Sequence, residues 1–262
     1  MTISRAASRL AMLACGAALA VALQSGAARA ELKKQWIDYK DGNAPLYGYL
    51  VYDDAFSGKR PGVLLVPSRA GMSQTALDDS DMIARLGYVV FAEDIFGKGQ
   101  IPKNVDEQIA QSAKYNADRP LMRSRATAGF NVLKSNPQVD ATRLGVVGYC
   151  FGGTTAVELA ETGVPIVGMI SVHGSFRNFN PDAAKNIKAR VLIEHGAEDE
   201  VAPLPEVNTL IEQLRAAKVN WQLDLYSGSS HGFTNPRNPS EERADREYKI
   251  AMGRFFKEVF GQ

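Results

Sequence analysis

Five short, largely unbroken apolar runs constrain this chain more than any other feature: residues 63–66 (VLLV), 88–92 (YVVFA), 144–149 (LGVVGY), 165–172 (PIVGMISV) and 190–195 (RVLIEH). None alternates apolar with polar residues, so a strand built from any of them needs cover on both faces. Segments with helical periodicity separate them. In residues 73–86, for example, Leu77, Met82, Ile83 and Leu86 fall roughly on one helical face. The pattern that satisfies both signals is an α/β fold, a mostly parallel central sheet with helices on both faces.

Further elements extend this sheet. Residues 33–39 and 46–52 predict two strands around the turn Asp41-Gly42-Asn43, an antiparallel pair at a sheet edge. Residues 221–226 predict another strand. Helices are expected over 104–117, 120–134, 154–161, 204–217 and 240–259. No linker, repeat or low-complexity stretch divides residues 31–262, which read as a single domain. The chain has 262 residues, 45% hydrophobic and 23% charged, with a formal charge of +1. Near-neutrality and the lack of a basic run give no footprint for nucleic acid.

Residues 1–30 read as a secretory signal. Arg5 and Arg9 precede an apolar run over 10–23 that is short for a membrane span, and Ala28-Arg29-Ala30 forms an A-x-A site before the polar ELKK. Cleavage after Ala30 predicts a periplasmic or secreted protein with no stable membrane insertion. The alternatives are an uncleaved anchor or lipidation at Cys15, whose preceding residues fit a lipobox poorly. Cleavage also removes Cys15 and leaves Cys150 without a partner, so that thiol is either inert in the core or reactive.

The sequence around Cys150 favours reactivity. Gly148-Tyr149-Cys150-Phe151-Gly152-Gly153 follows a strand and opens a helix, as a nucleophile elbow does, with Cys in place of the usual Ser. The helix N-terminus favours a thiolate, and the Phe151 N–H can serve a developing oxyanion. After the strand 190–195 comes Glu194-His195-Gly196-Ala197-Glu198-Asp199-Glu200-Val201-Ala202-Pro203. Asp199 is chosen there as the carboxylate over Glu198 and Glu200, and His195 reads as structural. After the strand 221–226 comes Ser229-Ser230-His231-Gly232-Phe233. The chain order Cys150, Asp199, His231 is the nucleophile–acid–base order of α/β-hydrolases.

From about residue 36 onward, the G-Y-C-F-G-G, H-G-A-E-D-E-V-A-P and S-H-G-F segments resemble the dienelactone hydrolase family. The resemblance implies an α/β-hydrolase sheet without a large cap, no metal or organic cofactor, and hydrolysis of small-molecule esters and lactones. It implies Cys150 as nucleophile, His231 as general base and then acid, and Asp199 as the orienting carboxylate. The oxyanion donors would be the backbone N–H groups of Phe151 and Arg69. Residues 173–189 are too short for anything but a loop or short helix.

Some positions depart from the family pattern. A glutamate that contacts the resting cysteine in founding members is matched by Ser68. Two arginines that grip a substrate carboxylate are matched by Lys98 and Asn235, with Arg237 two residues further on. Ser68, Lys98, His173 and Asn235 are therefore the expected substrate-binding residues, and a broader ester or lactone hydrolase is expected. A thioesterase or peptidase with the same triad, or a binding protein on a hydrolase scaffold, is the alternative. Oligomeric state leaves no sequence signature.

Overall fold

The computed structural model describes residues 31–177 and 179–262, so the expected signal segment lies outside the described residues. Eight strands form one sheet: β1 (Leu32–Asp41), β2 (Ala44–Asp53), β3 (Arg60–Val66), β4 (Val89–Ala92), β5 (Val139–Tyr149), β6 (Gly168–Val172), β7 (Arg190–Gly196) and β8 (Trp221–Tyr226). Their order is β1-β2-β4-β3-β5-β6-β7-β8. The β1–β2 hairpin pairs antiparallel at one edge, β2 pairs antiparallel with β4, and every other neighbour is parallel.

Six α-helices cover the sheet: α1 (Gln74–Ala84), α2 (Val105–Ala117), α3 (Arg119–Ser135), α4 (Phe151–Glu161), α5 (Leu204–Ala216) and α6 (Pro239–Val259). The apolar runs divide residue by residue between the two faces. Leu64, Val146, Met169 and Ile193 pack beneath side chains of α2, α3, α4 and α5, such as Tyr115, Phe130 and Leu210. Their neighbours Leu65, Val147, Ile170 and Leu192 pack beneath α1 and α6, against Phe255 and Phe256. Successive side chains of a strand point to opposite faces, so two buried faces leave few positions for a polar residue.

Boundaries shift at several elements. β5 starts at Val139, five residues before the apolar run, because Val139 still pairs with Arg60 across an irregularity in register. β6 starts at Gly168 rather than residue 165: Pro165 has no N–H for the ladder, and the Ile166 N–H turns back to Val164 O at 2.8 Å. α4 starts at Phe151 rather than residue 154 and carries Gly152 and Gly153 inside its first turn. Among the described residues between β6 and β7 the only regular piece is a 3-10 turn, Ala183–Asn186, and they form no helical cap.

Candidate active site

The three motif residues sit just beyond the C-terminal ends of β5, β7 and β8, and the parallel sheet brings them together. Cys150 is the residue before α4 and has φ +54° and ψ −116°, a strained conformation for a residue with a side chain. Packing holds it there. A Cβ on Gly148 would run into the Gly152 carbonyl, and one on Gly152 into the carbonyls of Val66 and Pro67. The Cys150 N–H donates to Val172 O at 2.9 Å, which ties the elbow to β6.

His231 Nε2 lies 3.1 Å from Cys150 Sγ, and His231 Nδ1 lies 2.8 Å from Asp199 Oδ2. Asp199 is itself fixed: its Oδ1 accepts from Val201 N at 2.9 Å and Ala202 N at 2.8 Å. Glu198 instead accepts from Gly228 N, and Glu200 is exposed. His195 is fully buried, with Nε2 2.8 Å from Ala202 O, so it shapes the loop that presents Asp199.

Charge follows from this geometry. Burial alone would push the Cys150 thiol up, but the neighbouring imidazoles of His173 and His231 outweigh it and bring the thiol down to about 5. Burial alone would lower His231, but Asp199 and Cys150 raise it to about 9. At neutral pH the pair therefore rests as thiolate and imidazolium. Burial would likewise raise Asp199, and the His231 hydrogen bond turns the shift downward, so it stays ionised. Phe151 occupies the first position of α4, where a backbone N–H has no intrahelical acceptor. The N–H of Arg69, in the loop after β3, likewise has no acceptor among the described residues.

Two lobes of one open cleft meet at Cys150, His231 and Arg69. One, of about 520 Å³, includes Ser68, His173 and Asn235. The other, of about 550 Å³, runs over Ile109, Phe151 and Val201 to Arg119 and Arg177. Ser68, Arg69, His173 and Asn235 are thus placed at the cleft, and Lys98 is not. Lys98 is exposed, its Nζ pairs with Asp38 at 2.6 Å, and its N–H donates to Pro45 O. The reason is the preceding turn. Asp94 Oδ1 accepts from Phe96 N and Gly97 N, and this turn sends Lys98 toward the β1–β2 hairpin. Arg237 also lines the first lobe and is exposed, but its guanidinium is engaged there, donating to Glu241, Ser230 Oγ and His231 O.

Sequence reasoning missed Asp79, which lines the first lobe from α1. Burial pushes its carboxyl up to about 7, against the pull of Lys249. It also missed Arg119 and Arg177, which rim the second lobe and pair with Glu158 and Glu206. No motif marks these residues, because they reach the cleft from helices and loops remote in sequence.

Comparison with known proteins gives the same picture. The family model described as Dienelactone hydrolase family matches residues 46–260. A carboxymethylenebutenolidase homolog of Mus musculus is 29% identical over 181 residues, covering 64% of this chain and 68% of that protein. The Homo sapiens homolog is 28% identical over 172 residues with the same coverage. The crystal structure of a dienelactone hydrolase-like promiscuous phosphotriesterase from metagenomic libraries superposes with a TM-score of 0.82 at 30% identity, covering 87% of this chain and 99% of that one.

Proposed function

The chain belongs to the dienelactone hydrolase family, and from that premise we propose that it cleaves carboxylic esters or lactones through a covalent acyl-enzyme on Cys150. The observation that carries this reading is the linear array Cys150 Sγ–His231 Nε2–His231 Nδ1–Asp199 Oδ2, with contacts of 3.1 Å and 2.8 Å. The thiolate attacks the carbonyl carbon, and the Phe151 and Arg69 N–H groups receive the developing oxyanion. As the tetrahedral intermediate collapses, the C–O bond breaks and His231 gives its proton to the leaving alkoxide. In a lactone that alcohol stays tethered to the acyl group. His231 then takes a proton from water, the hydroxide attacks the thioester, and the acid leaves with the thiol restored as thiolate.

The substrate range we propose is wider than a carboxylated dienelactone. Lys98 is spent on Asp38 away from the cleft, and Asn235 is uncharged, so the paired cationic grip of founding members is not rebuilt at those positions. Arg237 is spent on Glu241. Arg69 is the guanidinium that lines both lobes and makes no ion pair among the described residues. Specificity constants for a neutral aryl acetate and for a dienelactone test this reading. Values within a factor of about 100 are expected, since one charge-assisted hydrogen bond is worth roughly 1.5–3 kcal/mol. A dienelactone constant higher by more than that would overturn the broad range. Near-normal turnover in Cys150→Ala would overturn the mechanism. Export through cleavage after Ala30 belongs to the same proposal, and a mature N-terminus at Glu31 in the intact mass is its test.

A further inference from the structure

Thiol hydrolysis needs one imidazole at the sulfur, and this fold supplies two. His173 follows β6 in a left-handed backbone conformation, φ +40°, with its N–H donated to Glu194 O at 2.8 Å. The residue is 3% exposed. Its Nε2 lies 3.2 Å from Thr234 Oγ1, and its Nδ1 has no hydrogen-bond partner among the described residues. Its ring meets that of His231 edge to face, with centroids 5.0 Å apart. Cys150 Sγ and one nitrogen from each ring all lie within 4.8 Å of one another.

We propose that Cys150, His173 and His231 form a binding site for one borderline-to-soft divalent cation, zinc foremost, and that its occupation reversibly switches the hydrolase off. One thiolate sulfur and two imidazole nitrogens are a three-ligand set that zinc accepts with its fourth position open. Zinc holds sulfur at about 2.3 Å and imidazole nitrogen at about 2.0–2.1 Å, so tetrahedral donors stand roughly 3–4 Å apart, within the span of these three atoms. Hard magnesium and calcium ions prefer oxygen and are excluded by the donor type.

The surroundings also suit a metal. Asp199 accepts from Nδ1 of His231, the carboxylate–histidine arrangement that orients a ligating ring and strengthens its free nitrogen as a donor. The Thr234 hydroxyl holds the ring of His173. The fourth position opens on the cleft whose two lobes meet at Cys150 and His231. No oxidation change or co-reactant is needed: the sulfur and nitrogen lone pairs bind the cation, and a proton on His231 Nε2 passes to buffer. The metal then occupies both the nucleophile and the base. It is an inhibitor of the acyl transfer, not a participant in it.

The loss of turnover rests on the proposed roles of Cys150 and His231, whereas coordination does not, so the two are measured separately. Zinc is titrated calorimetrically into the reduced protein, X-ray absorption is recorded at the zinc edge, and ester turnover is followed with zinc, with magnesium, and after addition of a chelator. One zinc per chain is expected, in a shell of one sulfur and two imidazoles, with inhibition by zinc alone and recovery on chelation. Cys150→Ala should lose the site, and His173→Phe should weaken it by at least about tenfold. A shell without sulfur, a shell with a single imidazole, or His173→Phe binding zinc as tightly as the unmodified protein would overturn the proposal. The absorption measurement needs no variant, so a misfolded His173→Phe leaves the test intact. A sulfur-and-two-imidazole shell in a protein with no esterase turnover would support the site and defeat the proposed function instead.

Discussion

At Cys150, burial pulls the thiol toward neutrality and two imidazoles pull it toward charge, and the imidazoles win. The same contest at His231 is won by Asp199 and the sulfur. The signs set the pH window. On the proposed mechanism, below about 5 the sulfur takes a proton and the nucleophile is lost. Above about 9 the imidazolium gives up its proton and the leaving alkoxide has no acid. The specificity constant should therefore follow a bell with limbs near these two values, which belong to the pair rather than to either group. Iodoacetamide labelling of Cys150 should fall along the acidic limb only. Asp199→Asn removes the charge that stabilises the imidazolium, so its alkaline limb should move to lower pH. An alkaline limb unmoved in that variant would show that Asp199 does not tune His231.

The segment between β8 and α6 presents His231, and its stiffness comes from a carboxylate buried at the start of α6. Glu241, 1% exposed, accepts from Ser230 Oγ at 2.8 Å and from the Arg237 backbone and guanidinium. Arg237 in turn donates to His231 O at 2.9 Å. Asn238 caps the helix by accepting from Ser240 N and Glu241 N, both at 3.0 Å. These bonds hold Glu241 ionised, with its carboxyl lowered to about 2. Glu241 and Arg237 are thus positioning residues for the proposed base, His231. Glu241→Ala should lower kcat by about 10- to 100-fold, because misplacing a catalytic group by about 1 Å costs on that order, while KM changes little. An equal rise in KM would point to the cleft wall instead.

Across the whole molecule, two apolar layers sandwich the sheet, and several carboxyl groups are sealed in or beside them. Glu194 in β7 is fully buried, and burial drives its carboxyl up to about 9 although the Tyr226 hydroxyl donates to it at 2.6 Å. The folded chain holds this proton at pH values where the unfolded chain has lost it. The stability linked to Glu194 is therefore fully present below about 4.5 and is lost as pH rises to about 9. Glu194→Gln does not titrate, so the stability of the unmodified protein relative to this variant should fall steadily across that range in denaturant melts. A constant difference would mean that Glu194 is already ionised in the fold. On the same scale, Phe256→Ala should cost about 3–5 kcal/mol while leaving the pH profile of turnover unchanged, since Phe256 packs beneath the sheet and lines neither lobe.

The architecture was legible because two-sided burial leaves a direct trace: runs such as VLLV and LGVV admit no polar position. The elbow was legible because a strained turn against the Val66 and Pro67 carbonyls excludes side chains at its glycines. Asp199 and His231 were legible because strand C-terminal ends are where such a sheet exposes polar loops. The direction in which a loop residue points leaves no such trace. Lys98 and Arg69 both follow strand ends, yet one turns to Asp38 and the other lines the cleft. Arg237 looked like a cation available to substrate until the buried Glu241 claimed it. Asp79 reached the cleft from α1 with no such trace, whereas His173, expected at the cleft, stands beside Cys150 in a left-handed backbone conformation after β6. Local patterns of burial and backbone strain were written in the chain itself, whereas the partners of polar side chains were decided only when residues distant in sequence came to share one cleft.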